Sequence, residues 1–391
     1  MMNEKKFRSD DNTMQENAYT ADYEYYEQEE EPAHTQTREE TDKKCVDCGG
    51  TMDFDPATGK MSCPYCGRLE EIKIEDESFV AEELDFSSIS EANNCDWGTQ
   101  TKKVTCKSCG AQTVYSSEEI ANICPYCGSN QVMEEKTENI MAPGGVVPFS
   151  ISSQEASLRF KSWIGKKFFC PKLAKESAKP KAFQGLYVPY WTFDARTNSH
   201  YTGQYGKRRT VRRKDKMVTE THWYNTSGFY QQSFDDVLVC GASDQNRQLM
   251  TKMEPYDTRQ VAEYKPEYLA GFLAESYTVK VKDAWETAKE KMTQIIRSGI
   301  ARKIEHEHSA QDSRVSHVST SYSNITYKYL LLPVWISSFQ YNDKVYHFVI
   351  NGQTGRVAGK TPLSPIKIAL TVVAVIIIII IMILSWLYGG Y

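Results

Sequence analysis

Along most of the chain, runs of apolar residues are short and interrupted, except near the C-terminus. Residues 368–387 contain no charged side chain, and 376–381 is an unbroken isoleucine run. Twenty apolar residues in a helix cover about 30 Å, the thickness of a bilayer's hydrocarbon core. The pattern therefore predicts a transmembrane helix, with Trp386, Tyr388 and Tyr391 as an aromatic anchor at its far interface. Two other stretches repeat with helical period. Ser152-Ser153-Gln154-Glu155 is a capping box opening a helix through about Ile164. Asp283 caps a longer helix through about Ile304, with an apolar face of Trp285, Ala288, Met292, Ile295, Ile296 and Ile300.

Between these helices the chain is rich in aromatic and β-branched residues, which predicts several strands. Two segments echo each other there: Tyr187-Val188-Pro189-Tyr190-Trp191 and Leu331-Leu332-Pro333-Val334-Trp335. Each precedes alternating aromatic residues and then a Gly-rich turn, at Gly203-Gln204-Tyr205-Gly206 and Gly352-Gln353-Thr354-Gly355. Two similar strand–turn units point to an old duplication.

The composition shifts sharply along the 391 residues. Residues 1–43 are acidic and polar, with Glu27, Glu29, Glu30 and Glu31 close together, and read as a disordered tail. The expected organisation is a first ribbon over 44–73, an acidic connector over 74–100, a second ribbon over 101–135, a core over 140–362, and the span at 368–387. In the connector, Phe79, Val80, Leu84, Phe86 and Ile89 are expected to pack on a ribbon as a short helix or strand. The fold class is thus multidomain: two small β zinc ribbons, a strand-rich α+β core and one C-terminal transmembrane helix.

The ribbons rest on cysteine arithmetic. Cys45, Cys48, Cys63 and Cys66 form two Cys-x-x-Cys pairs, and Cys106, Cys109, Cys124 and Cys127 repeat them 61 positions later. In both sets fourteen residues separate the inner cysteines. Four thiolates on two knuckles suit tetrahedral Zn²⁺, and glycines follow each pair where the knuckle must turn. Two structural Zn²⁺ sites are expected, closed to substrate because all four coordination positions belong to the protein. Redox chemistry would require a thioredoxin-like strand–helix context. Cys95, Cys170 and Cys240 are dispersed and read as inert thiols.

No other constellation promises catalysis. Gly355 to Thr361 nearly spells a phosphate loop, but has three residues between its glycines rather than four and leads into Pro362 and Pro365. His306, His308 and His317 lack ligand spacing and read as solvent-exposed. No nucleophile elbow or zinc-protease motif occurs, so the chain is read as no enzyme. The most basic stretch carries Lys207, Arg208, Arg209, Arg212 and Arg213. Anionic lipid or nucleic acid are its candidate ligands, against the plainer reading of a solvated hairpin. The net charge of −5 argues against extended nucleic-acid binding.

Arg356, Lys360 and Lys367 precede the apolar run, and no basic residue follows it. The positive-inside rule then places the bulk of the chain in the cytoplasm, on a single-pass C-terminal anchor in the cell membrane. A reducing compartment also suits metal-bound thiolates better than disulfides.

The ribbons together with the segments around Pro189-Tyr190-Trp191 and Pro333-Val334-Trp335, and Asn351-Gly352-Gln353-Thr354-Gly355, resemble a bacterial family. That family comprises TFIIB-type zinc-ribbon membrane proteins, often labelled primosomal protein N′-like, and the resemblance covers roughly 44–365. It implies an accessory protein associated with band-7 (SPFH) scaffold proteins. The expected function is a tail-anchored zinc-ribbon adaptor that recruits or organises such a partner at the membrane, in envelope stress. A membrane-associated nucleic-acid-binding protein is the alternative.

Overall fold

A computed structural model describes residues 43–73, 79–88, 101–106, 112–116, 132–135, 141–178, 183–213, 216–242, 244–342 and 344–388. The expected acidic tail, most of the connector and much of the second ribbon lie outside them.

Three short antiparallel strands, β1 (Asp53–Asp55), β2 (Lys60–Ser62) and β3 (Leu69–Glu70), form a separate sheet over the first cysteine set. It does not stand alone. Phe54 N donates to Ala270 O at 3.1 Å, and the Phe54 ring meets Tyr268 edge-on at 5.5 Å. Buried Met52, Phe54 and Met61 thereby join the main core. A module this small has little interior of its own, and docking supplies one.

The remaining strands build one eleven-stranded sheet. They are β4 (Leu84–Asp85), β5 (Thr101–Cys106), β6 (Gln112–Ser116), β7 (Val132–Glu135), β8 (Gly145–Val146), β9 (Gln184–Arg213), β10 (Lys216–Cys240), β11 (Leu273–Glu275), β12 (Asp312–Tyr341), β13 (Lys344–Asn351) and β14 (Val357–Gly359). Helices α1 (Ser153–Gly165), α2 (Lys172–Ser177), α3 (Asp244–Met250), α4 (Val281–His308) and α5 (Pro365–Tyr388) accompany them. The principal order is β14-β13-β12-β9-β11-β6-β5-β7, with β10 on β9 and with β4 and β8 on β12. The hairpin β5–β6 and strand β7 fall in the region of the second ribbon. They extend the main sheet through the β6–β11 pairing rather than forming a detached sheet like β1–β3.

At the centre, β9 and β12 run antiparallel with Tyr187 opposite Pro333, Val188 opposite Leu332, and Pro189 opposite Leu331. The two echoing sequence segments are therefore direct partners, related by a local two-fold axis through Val188 and Leu332. The surroundings obey the same axis. Short β11 runs parallel to β9 at Leu186 and Tyr187, and β8 runs parallel to β12 at Leu330 and Leu331. Each central proline carbonyl accepts at 2.8 Å from a glycine amide, Pro189 O from Gly241 and Pro333 O from Gly352. Each half reads short strand, helix, long strand, return strand: β8-α1-β9-β10 and β11-α4-β12-β13. The short strand of each half pairs with the long strand of the other.

The long strands differ from the sequence expectation. The glycines at 203 and 206 predict a turn, yet residues 203–206 lie inside β9. Their glycines answer to crowding. A Cβ on Gly203 would meet the Arg314 carbonyl and the Ile304 side chain, and one on Gly206 would meet Thr221, Asp312 and Trp223. Strands β9, β10 and the first part of β12 consequently continue as a narrow antiparallel arm. At about 3.3 Å per residue, the thirty residues of β9 extend to about 100 Å.

Helix α4 braces one face of the arm. Alternate residues Ala195, Thr197, Ser199 and Tyr201 are buried, whereas Arg196, Asn198, His200 and Thr202 are exposed. On α4, Trp285, Ala288, Met292, Ile296, Ile300 and Ile304 are buried as the pattern predicts, but Ile295 is exposed. The helix also starts earlier than expected. Lys280 is its N-cap, though its side chain does not cap the first turn, and Asp283 sits in that turn, where a carboxylate complements the helix dipole without capping. It runs past Ile304 to His308 and stops where Ser309 turns left-handed at φ 45°. By contrast α1 begins as predicted, with Ser152 Oγ accepting from Glu155 N at 3.2 Å.

From the connector, Leu84 and Asp85 pair with β12, and the Phe86 ring lies 5.3 Å from Trp285 and 6.3 Å from Phe193. This segment packs on the core, not on a ribbon, because the aromatic cluster beneath α4 offers the larger apolar surface. Helix α5 is long and apolar enough to cross a membrane over Pro365–Trp386, and its apolar residues from Leu370 to Trp386 are exposed.

Candidate metal centre

The two knuckles of the first ribbon are built alike. Gly49 N donates to Cys45 O at 2.8 Å and Gly67 N to Cys63 O at 2.9 Å. Both glycines adopt left-handed backbone, with φ 72° and 75°, which a side chain would strain. Each turn is closed further by Cys45 N to Gly50 O at 2.8 Å and Cys63 N to Arg68 O at 2.9 Å. Arg68 also reaches across to Asp47 at 2.6 Å, tying one knuckle to the other. Tyr65 covers Gly50 so closely that a Cβ there would collide with its ring.

This geometry brings all four predicted ligands together. The sulfurs of Cys45, Cys48, Cys63 and Cys66 lie within 4.8 Å of one another, and two of the pairs are 3.5 Å apart. Bonds of about 2.3 Å to a tetrahedral cation would place sulfurs about 3.8 Å apart, so the donor set fits such an ion. Cys45 and Cys63 are buried, and Cys48 and Cys66 face outward. The Cys66 amide hydrogen-bonds to the Cys63 sulfur and lowers that thiol to about 7, whereas the neighbouring sulfurs raise Cys48 and, against the Arg68 amide, push Cys66 up to about 12, so the crowded thiols hold on to protons that a bound cation would displace. Four protein sulfurs leave no position for substrate.

In the second set, Cys106 ends β5, and Cys109, Cys124 and Cys127 lie outside the described residues. Buried Cys170 and Cys240 stay away from the cluster. Burial raises the Cys170 thiol and pushes Cys240 up to about 12, consistent with inert thiols.

The basic stretch forms the tip of the arm, beyond the end of β12. Lys207, Arg209 and Arg212 are exposed there. Arg208 is committed to a bidentate pair with Asp312 at 2.8 and 2.9 Å, and Arg213 ends β9. His308 is not free in solvent as expected. Its ring stacks on Tyr205 at 4.0 Å, and Nε2 lies 3.0 Å from Thr226 Oγ1. The near-miss phosphate loop is a turn into β14, which pairs with β13. Trp191 and Trp335 are core residues.

Sequence reasoning missed one charged cluster. Buried Lys328 reaches Asp236 at 3.0 Å, Glu83 at 3.3 Å and Asp194 at 3.5 Å. Burial works against its charge, but the bond to Asp236 and the surrounding carboxylates outweigh it and hold the ammonium well above its ordinary range. Asp194, Asp235 and Asp236 could also be read as cation ligands. Lys328 already supplies the positive charge there. The four members of this ionic cluster come from β4's approach, β9, a bulge in β10 and β12, so no local signal could have joined them.

A groove of about 860 Å³ separates the ribbon from the core, lined by Asp53, Pro64, Gln154, Phe183, Phe272 and Trp335 among others. It holds no convergent set of reactive groups.

No family model matches the chain, and no solved structure matches it. A Bacillus subtilis (strain 168) protein, "Uncharacterized protein YdjG", is 30% identical over 349 residues, covering 89% of this chain and 98% of that protein.

Proposed function

The chain belongs to the same family as the Bacillus subtilis protein YdjG, and we propose that it is a membrane-held zinc-ribbon adaptor for a partner protein. Cys45, Cys48, Cys63 and Cys66 would hold one structural Zn²⁺, and Cys106, Cys109, Cys124 and Cys127 a second. Helix α5 is the anchor. Arg356, Lys360 and Lys367 on its N-terminal side favour a cytoplasmic sheet domain. The partner class implied by the sequence resemblance is a band-7 (SPFH) scaffold protein.

The observation that carries this reading is the outer surface of the first ribbon. Its inner face is spent on docking to the core, while Val46 and Tyr65 at the knuckle tips are 72% and 78% exposed, with Leu69 beside them on β3. Rigid, metal-closed and apolar at its rim, such a surface is suited to protein contact rather than chemistry.

The test is a cross-linked, nuclease-treated pull-down of the full chain from solubilised membranes, read by mass spectrometry. Val46→Glu with Tyr65→Ser should abolish recovery of a band-7 protein while zinc content stays unchanged. Recovery of that protein undiminished by the substitutions would refute docking through the ribbon.

A second reading is favoured only by the exposed cations at the arm's tip. It requires an affinity for DNA or RNA that falls steeply with salt and is lost in Lys207→Ala, Arg209→Ala. A flat salt response removes it.

A further inference from the structure

One corner of the domain is fastened to the beginning of the apolar helix. The loop between α1 and α2 passes Phe168, Phe169 and Cys170. Ser364 N donates to Phe169 O at 2.8 Å, and Lys367 Nζ donates to Phe168 O at 3.0 Å and to Cys170 O at 2.9 Å. The buried Cys170 side chain pins the same loop to the core. The corner and the first turn of α5 therefore share one position, whatever the rest of the chain does.

That corner has an unusual surface. Phe168 is 66% exposed and Leu173 is 71% exposed, and Phe169 lies edge-on to Phe168 at 5.2 Å. Leu363 and Ile366, on the approach to α5, are also exposed. Lysines lie on the same corner: Lys166 is exposed, Lys167 lies over the Trp163 ring at 4.7 Å and Lys172 opens α2, while Lys175 Nζ is bound to Gly165 O and Lys367 Nζ to the Phe168 and Cys170 carbonyls. Glu176 is the acid on α2, and it pairs with Lys172 at 3.7 Å. Large exposed apolar side chains beside lysines are unfavourable in water. They match the boundary of an anionic leaflet, where rings sit at headgroup level and lysines reach phosphates.

We propose that the α1–α2 corner is a second membrane contact, seating Phe168, Phe169 and Leu173 in the interfacial layer beside α5 with Lys166, Lys167 and Lys172 toward anionic headgroups. This rests on the reading of α5 as a membrane span. The corner would fix the tilt of the sheet domain on the bilayer, which a single flexible anchor cannot do.

The experiment uses the full chain reconstituted in phosphatidylcholine vesicles, with or without about 30% phosphatidylglycerol. The photo-cross-linker p-benzoylphenylalanine replaces Phe168, Ile378 or Phe229 in turn, and lipid adducts are counted by mass spectrometry. Ile378 reports the span and Phe229 is an exposed aromatic on the arm. The expected result is lipid adducts at positions 378 and 168 and none at 229. The adduct at 168 should rise about threefold with phosphatidylglycerol and lose that rise in Lys166→Glu, Lys167→Glu. Adducts at 378 without any at 168 overturn the corner and leave the span intact. Absence at 378 overturns the span reading itself. Adducts at 168 to protein rather than lipid identify a self-association surface and overturn the proposal.

Discussion

Trp191 and Trp335 perform the same act in the two halves of the sheet: each indole Nε1 donates to a backbone carbonyl two residues before a helix begins. Trp191 reaches Val279 O at 2.8 Å ahead of α4, and Trp335 reaches Ile151 O at 2.7 Å ahead of α1. Both acceptors lie six residues beyond the first residue of a short parallel strand, β11 or β8. An aromatic residue covers each indole as well, Tyr277 at 5.2 Å and Phe149 at 4.8 Å. One solution has been used twice, and a swapped short strand links each copy to the other.

If the halves are equivalent, their tryptophans should be too. Trp191→Phe and Trp335→Phe each leave a carbonyl, half-buried at Val279 and buried at Ile151, without its donor and should each cost about 1–3 kcal/mol. Urea unfolding of the solubilised chain measures both. A large loss from one and none from the other would break the equivalence.

Metal content tests both cysteine sets together. Elemental analysis of the purified protein should find two zinc ions per chain, falling to one in Cys63→Ser and to one in Cys106→Ser. Chelation should expose Met52, Phe54 and Met61, because the ribbon that buries them has lost its closure, and should increase proteolysis near residues 44–73. Wild-type stoichiometry of one would remove the second site.

The Lys328 cluster makes a pH prediction. Lys328 has its folded value raised, so its stabilisation is complete below the ordinary lysine range and is lost as pH rises through that higher value. Glu83 ends below its ordinary range. Burial pushes it upward, but the Thr326 hydroxyl and Lys328 outweigh that. Its contribution is present above the unfolded carboxylate range and fades as pH falls through the lower folded value. Neutral pH lies between these limits. Lys328→Met should cost about 3 kcal/mol there by leaving three carboxylates facing one another. The deficit should shrink on acidification as they take up protons, and an equal deficit at pH 4.5 and 7.5 would contradict the assignment.

Gly299 tests the brace. On α4 it faces the Tyr230 hydroxyl of β10 so closely that a Cβ would collide with it. Gly299→Ala should destabilise by about 1–3 kcal/mol, and Tyr230→Phe in the same chain should recover part of the loss. Thermal melting of the four species gives the coupling. Additive effects would place the helix elsewhere on the sheet.

What could be read from the sequence was what is decided within a few residues. The knuckles of the first cysteine set, the Ser152 cap and the apolar C-terminal helix depend on short spacings, and each stands where the spacing put it. Asp283 misled because a first-turn acid and a capping acid look the same without backbone geometry. Gly203 and Gly206 misled because a glycine required by a neighbouring strand cannot be told from one required by a turn. The duplication showed only at Pro189 and Pro333, since its other marks are hydrogen bonds between residues far apart. The ionic cluster on Lys328 needed four segments at once.

The arm has a mechanical implication. Twenty-eight residues of α4 give a splint of about 42 Å along strands more than twice that length. Below Ser309 the ribbon is a helix-backed beam. Above it, beyond the Gly206–Asp312 pairing, two strands remain among the described residues and they carry the cations. Stiffness therefore falls off toward the charged end, so a touch at the tip is absorbed locally, while a load applied beneath it is carried back to the base as a lever.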